Sequence, residues 1–289
     1  MAVKGIDVSK WQGDVDFGKV KSAGYKFVMI NAGYGRYISQ KDKCFDKNYT
    51  NAKSAGLNVG AYWYSYAVNA AQAEAEAKVF LEAVKGREFE YPLAMDIEDA
   101  VQQGLSNAVV GDIINAFCSY LESKGCYAAI YSYADFLKNK VPAECRKKYD
   151  VWVAHFDVDE PAYSDSYGMW QYSSTGKVNG VNGNCDLDYS YKDYPALIKE
   201  KGLNGYGKSQ KILDSAGWKT GDKDRGVLAL KQMLILAKDK KLIDQKLDDN
   251  EIFGEGTQKA VNELLKKWDY SANGIAGDNF IRKLGESLK

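Results

Sequence analysis

Lys21-Ser22-Ala23-Gly24 runs directly into Tyr25-Lys26-Phe27-Val28-Met29-Ile30. The phrase returns as Lys53-Ser54-Ala55-Gly56 before Leu57-Asn58-Val59-Gly60-Ala61-Tyr62, and as Glu122-Ser123-Lys124-Gly125 before Cys126-Tyr127-Ala128-Ala129-Ile130-Tyr131. Each copy reads as a helix end followed by a buried strand: glycine takes the left-handed position just past a helix at little steric cost, and the apolar run suits a parallel strand covered on both faces. Working outward, further strands are expected at 5–8, 93–97, 151–154, 168–172 and 185–189, which brings the number to eight. Helices fit between them at 16–23, 45–55, 70–84 and 106–124. Eight strands with βα alternation predict an α/β fold, a (β/α)8-like barrel. Short or absent helical connections late in the run make it irregular.

The stretch Tyr91-Pro92-Leu93-Ala94-Met95-Asp96-Ile97-Glu98 places two acids at the end of the fourth strand. Side chains two apart on a strand share a face at roughly 6 to 7 Å. Cleavage of a glycosidic bond needs two carboxyl groups about 5 to 9 Å apart, one to protonate the leaving oxygen and one to manage the cation or act as nucleophile. In such a barrel the working face lies at the carboxyl ends of the strands. Asp7 closes the first strand, and Asp186 lies in the last, Asn184-Cys185-Asp186-Leu187-Asp188-Tyr189. Asp7, Asp96, Glu98 and Asp186 are therefore the candidate catalytic set. Tyrosine is abundant, with 21 copies, and aromatic faces stack on sugar rings. Tyr34, Tyr62, Tyr64, Tyr131 and Trp170 are the candidate substrate-binding residues, whereas Trp63, Trp152 and Met169 read as core.

Composition narrows the chemistry. With 39 basic and 39 acidic residues and no dense basic run, a nucleic-acid partner is not expected. No segment approaches the roughly 20 apolar residues of a membrane span, and the first residues lack the apolar stretch of a signal peptide, so the expectation is a chain made in the cytoplasm. Cys44, Cys118, Cys126, Cys145 and Cys185 form an odd set without Cys-x-x-Cys spacing, which fits reduced thiols. The single histidine, His155, cannot build a multi-histidine zinc site and reads as a hydrogen-bonded residue at the barrel rim. Carboxylate chemistry with no metal and no cofactor is expected.

Past residue 195 the pattern changes. The expected division is a barrel at 1–202, a linker rich in Gly, Ser and Asn at 203–221, and a small three-helix domain at 222–289. Its helices are marked by Val227, Leu230, Met233 and Leu234, by Ala260, Val261, Leu264 and Leu265, and by the stretch from Phe280 to Leu288.

Three phrases in order, Gly5-Ile-Asp-Val-Ser-Lys-Trp-Gln-Gly13, Ala94-Met-Asp-Ile-Glu98, and Trp170-Gln-Tyr172 with Gly183-Asn-Cys-Asp-Leu-Asp188, resemble the signatures of the glycoside hydrolase family 25 lysozymes. The resemblance covers about the first 200 residues. It implies an irregular β/α barrel that hydrolyses the β-1,4 bond from N-acetylmuramic acid to N-acetylglucosamine in bacterial peptidoglycan. Glu98 matches the general acid, and Asp96 matches the partner that stabilises an oxazolinium or acts as nucleophile. Asp7 and Asp186 match the flanking acids. The tail, through 249–258 and 271–278, resembles a peptidoglycan-binding domain, with Asn250 and Glu251 where Asp-Gly is usual; a module for stability or dimerisation is the alternative. The implied protein is a wall-degrading muramidase of the phage endolysin or autolysin kind, acting on the wall after release. A chitinase or N-acetylglucosaminidase using the same acids, or a non-catalytic carbohydrate-binding protein, is the rival.

Overall fold

The computed structural model describes residues 2–207 and 212–289, in two compact units that divide at Lys208/Ser209. Unit 1 is built on eight strands in a closed barrel, β1 (Val3–Val8), β2 (Phe27–Tyr34), β3 (Asn58–Tyr64), β4 (Leu93–Asp96), β5 (Ala128–Tyr133), β6 (Asp150–Ala154), β7 (Met169–Gly176) and β8 (Cys185–Ser190), neighbours in sequence order. The α/β barrel expected from the repeated phrase is what forms. Strands β1 to β7 run parallel, and β8 closes the ring antiparallel to both β7 and β1, with Asp7 opposite Asp186.

Helices α1 (Phe17–Ser22), α2 (Phe45–Ser54), α3 (Ala70–Val84) and α5 (Asn107–Ser123) fall where the pattern places them. Short helices α4 (Ala100–Gln103), α6 (Ala134–Asn139), α7 (Ala143–Lys148) and α8 (Tyr194–Lys201) were not expected; runs of four to eight residues are too brief to show a helical period. Local chemistry starts the longer ones. The Asp16, Asn69 and Ser106 side chains accept from the free N–H groups of Lys19, Gln72 and Val109 at the first turns of α1, α3 and α5.

Strand alternation then divides the apolar residues into two cores. Ile6, Val8, Val28, Ile30, Trp63, Leu93, Met95, Ile130 and Val153 point outward against the helices. Phe27, Met29, Tyr91, Ala94, Ala129, Trp152 and Met169 fill the barrel itself. Phe27 stacks on Tyr91 at 4.2 Å between centroids, and a Cβ on Gly5 would meet the Phe27 ring at 2.2 Å, so the interior closes only with glycine there. At the other end of the barrel the inward positions turn polar, and the site lies there.

The stretch expected as a linker is largely occupied. Asn204 is buried, its Nδ2 donating to the Tyr91 carbonyl at 2.9 Å and its Oδ1 accepting from Tyr127 N–H at 2.7 Å, while Leu203 and Tyr206 pack on the inner core. Backbone groups at the strand starts need partners away from water, and this segment supplies them. Lys208 to Lys211 lie outside the described residues. Leu213 and Trp218 already pack on the core of unit 2.

Unit 2 holds α9 (Arg225–Asp239), α10 (Glu255–Lys267) and α11 (Asp278–Ser287) around Val227, Leu230, Leu234, Phe253, Leu264, Phe280 and Leu284. Asp224 caps α9 through the N–H groups of Gly226 and Val227. Asp214 does the same for α11, accepting from Phe280 N–H at 2.8 Å. Lys231 is fully buried and ties the 248–252 turn, with Nζ donating to Asn250 Oδ1 at 2.8 Å and the Ile252 carbonyl at 3.1 Å and pairing with Asp248. Asn250, the departure from the usual Asp-Gly, is thus a structural ligand of that lysine. Among the described residues no helix is long and apolar enough to cross a membrane.

Candidate active site

A cleft of about 580 Å³ opens at the carboxyl ends of the parallel strands, and Asp7, Asp96, Glu98 and Asp186 all line it. Three reach it as the strand ends dictate. Asp186 does not: it sits at the start of β8, and only the antiparallel run of that strand brings its beginning to the same end of the barrel.

The acids differ in depth. Asp96 is buried at the end of β4, whereas Glu98, two residues on and on the same face, keeps partial exposure at the cleft wall. Burial lifts the Glu98 carboxyl from 4.5 to about 7, with Asp186 and Asp99 adding repulsion and the Tyr133 hydroxyl working the other way. Burial, then the charges of Glu98 and Asp99, hold Asp96 well above the carboxylate range. One oxygen of each, Asp96 Oδ1 and Glu98 Oε2, is buried with no protein partner among the described residues. Desolvation and like charge together favour a shared proton over two ions.

Beneath them lies a second acid group. Asp7 contacts both Asp186 and Asp188, which requires protons between the carboxyls, and burial raises all three, Asp186 to about 6. Gln171 Nε2 donates to Asp7 Oδ2 at 2.7 Å, and the Tyr131 hydroxyl donates to Gln171 Oε1 at 2.7 Å, which fixes the amide's orientation. Trp152 Nε1 donates to Asp188 Oδ1 at 2.8 Å. Asp188 and Gln171 both lie within the signature phrases, yet nothing in those phrases sets them apart as site residues; they become functional candidates because β7 and β8 face them inward.

The aromatic residues divide. Tyr34, Tyr62, Tyr64 and Tyr131 line the cleft as expected. Tyr64 donates to Asp99 Oδ2 at 3.0 Å, and Tyr62 and Tyr131 meet Trp152 with centroids at 5.8 and 4.5 Å. Trp170 is the exception. Met169 and Gln171 face inward, so Trp170 faces out; it is 6% exposed, packs on Tyr172 and Tyr189, and donates from Nε1 to the His155 carbonyl at 2.9 Å. Trp152, expected as core, is core and also floors the cleft. Trp63 and Met169 are core without reservation.

Local devices hold the rim. At the bulge in β2 between Asn31 and Gly33, Gly33 adopts φ 145°, and a Cβ there would meet the Trp63 ring at 2.6 Å. Buried Glu76 accepts from Ser65 Oγ at 2.6 Å and Tyr66 N–H at 3.0 Å, fixing the segment that carries Tyr64 and Tyr66. The Ser9–Gln12 capping box holds the Lys10-Trp11 turn, and Asp42 Oδ2 accepts Lys10 N–H at 3.0 Å. Trp11 stands 82% exposed there, a cleft residue that the sequence reading passed over. No group of three or more His, Cys, Asp or Glu among the described residues is arranged to hold a metal ion.

Comparison with known proteins places this geometry. The model of the family described as "Glycosyl hydrolases family 25" matches residues 6–181. The "Autolytic lysozyme" of Clostridium acetobutylicum is 33% identical over 186 residues, covering 64% of this chain and 55% of that protein. A bacterial lysozyme structure from Streptomyces coelicolor aligns at TM-score 0.62 and 32% identity over 71% of this chain and 97% of that one. The modular autolysin LytC of Streptococcus pneumoniae, in complex with a synthetic peptidoglycan ligand, aligns at TM-score 0.58 and 27% identity over 66% of this chain and 47% of that one. This chain therefore spans about half the length of its Clostridium relative. With the matched region covering more than half of the chain and including Asp7, Asp96 and Glu98, the chain belongs to glycosyl hydrolase family 25.

Proposed function

We propose that the chain is a peptidoglycan hydrolase, an N-acetylmuramidase that cleaves the β-1,4 bond between N-acetylmuramic acid and N-acetylglucosamine in the bacterial wall. The observation that carries this reading is the pairing of Asp96 and Glu98 on one face of one strand end, inside an aromatic-walled cleft, with Glu98 lifted to about 7. Glu98, the more exposed of the two, serves as general acid and gives its proton to the leaving glycosidic oxygen. With the one proton that the pair shares on Glu98, Asp96 is the carboxylate that stabilises the positive charge developing as the bond breaks, either on an oxazolinium formed by the substrate's acetamido group or by direct attachment. Asp186 and Asp99 help keep that proton from leaving early, since each further carboxylate disfavours ionisation nearby; Asp7 lies beneath them, bonded to Gln171. Tyr34, Tyr62 and Tyr64 stack on or bond to the sugar rings. The names of the relatives, lysozyme and autolysin, support the substrate class.

We assign unit 2 to wall targeting: it has its own core, and deleting residues 209–289 should weaken sedimentation with insoluble walls and spare cleavage of short soluble glycans. The test of the whole reading is to incubate the protein and its Glu98→Gln form with insoluble peptidoglycan, reduce with borohydride and identify the new ends by mass spectrometry. Reduced muramic acid made only by the unaltered protein is the expected result. Reduced glucosamine, or equal product from both forms, would overturn it.

A further inference from the structure

Beside the active-site cleft lies a second one, of about 590 Å³, whose walls include Tyr133, Asp135, Lys138, His155, Phe156 and Ala162. Nothing in the catalytic scheme uses it. Tyr133 joins the two: its hydroxyl meets the Glu98 carboxyl, and its ring, 42% exposed, stands edge-on to Phe156 at 6.0 Å between centroids. A group bound here would therefore sit one side chain away from the general acid.

The polar equipment of this cleft suits a carboxylate. His155 Nδ1 accepts from Ala162 N–H at 2.9 Å, which keeps the ring proton on Nε2, a donor with no acceptor among the described residues. Lys138 projects from α6 and is exposed; its carbonyl accepts from Arg146, and its ammonium has no ion-pair or hydrogen-bond partner among the described residues. Asp135, three residues earlier on the same helix, is bonded by Asn139 Nδ2 at 2.6 Å and forms no ion pair with Lys138. One unpaired ammonium, one oriented ring N–H donor and two aromatic rings match a peptide that carries free carboxylates and aliphatic side chains better than they match a bare sugar, which offers no charge.

Resting on the muramidase reading, we propose that this second cleft binds the acidic peptide arm carried by a muramic acid unit of the substrate, so that the enzyme selects glycan bearing its peptides over glycan stripped of them. Lys138 and His155 hold a peptide carboxylate, and Tyr133 and Phe156 cover the aliphatic part. Because the contact touches none of the reacting atoms and is made equally before and during bond breaking, it acts on binding more than on the chemical step.

The experiment compares two soluble substrates, peptide-bearing wall glycan and the same glycan after an amidase has removed the peptides, each cut by the unaltered protein, by Lys138→Met and by Phe156→Leu. Lys138→Met keeps the apolar stem of an exposed residue, and an unchanged melting temperature would verify its fold. Loss of a charge-assisted contact should raise KM on the peptide-bearing glycan about tenfold, with kcat unchanged and both constants unchanged on the stripped glycan. Phe156→Leu should shift KM the same way and less. Equal KM for the two substrates with the unaltered protein, or equal effects of Lys138→Met on both, would overturn the peptide site and leave the muramidase standing. Absence of new muramic acid ends from either substrate would overturn both.

Discussion

The sharpest consequence of the site concerns pH. An ordinary glutamic acid at 4.5 is protonated about once in 300 molecules at pH 7, whereas Glu98, lifted to about 7, is protonated about half the time. At pH 5 the fractions are about a quarter and about 99%. Burial therefore multiplies the competent acid form by about 150 at neutrality, which is the difference between a working and an idle general acid. The sign is definite: a raised value keeps the proton on as pH climbs, so kcat/KM should hold to about pH 6 and fall tenfold per pH unit above about 7. Tyr133→Phe removes the one hydroxyl that opposes this rise and should move the alkaline limb to higher pH. Glu98→Gln should abolish the limb and lower turnover about 10²- to 10⁴-fold at pH 5. The assay is the rate of new muramic acid ends on a soluble glycan from pH 4 to 9 at constant ionic strength. A limb centred near 4.5, or a Tyr133→Phe limb displaced downward, would refute the claim that burial keeps the acid protonated.

Three further expectations follow from packing and linkage. Asp7, Asp96, Glu98, Asp186 and Asp188 all hold protons more tightly folded than unfolded. Stability should therefore fall as pH rises from about 4 through 7, the melting temperature being lower at pH 8 than at pH 5, and Asp188→Asn should narrow that gap; a flat profile would contradict the clustered acids. Phe253→Ala empties a fully buried position in unit 2 and should cost about 3 to 5 kcal/mol in denaturant unfolding of that unit, while cleavage of soluble glycan persists. Gly33→Ala forces a Cβ at φ 145° to 2.6 Å from Trp63; it should destabilise by about 1 kcal/mol or more and raise KM, since the same bulge aims Asn31 and Tyr34 into the cleft.

Much of the barrel is legible in the chain because a parallel strand covered on both faces must be apolar throughout, and the glycine that ends each helix marks where such a strand begins. That physics is local, and it delivers β2, β3, β5 and the pair Asp96 and Glu98 from a few residues each. Unit 2 is legible for the same reason: Val227, Leu230 and Leu234, or Ala260, Val261, Leu264 and Leu265, repeat with the helical period and bury one face.

Other features depend on partners distant in sequence. Trp170 and Gln171 are adjacent, and only the register of β7 against β6 and β8 sends the amide to Asp7 and the indole away from the cleft. Asp188 becomes part of the acid cluster because β8 runs antiparallel, a direction that no residue of β8 announces. Asn204 looks like linker until the strand starts it serves, Tyr91 and Tyr127, are brought to it. By itself the sequence determined the strand content, the paired acids and the family, all properties of short windows with a fixed period or motif. Which side chains share one cavity, and how far burial raises the proton affinity of Glu98, was decided only by tertiary structure, because both depend on how many groups from separate strands are withdrawn from water together.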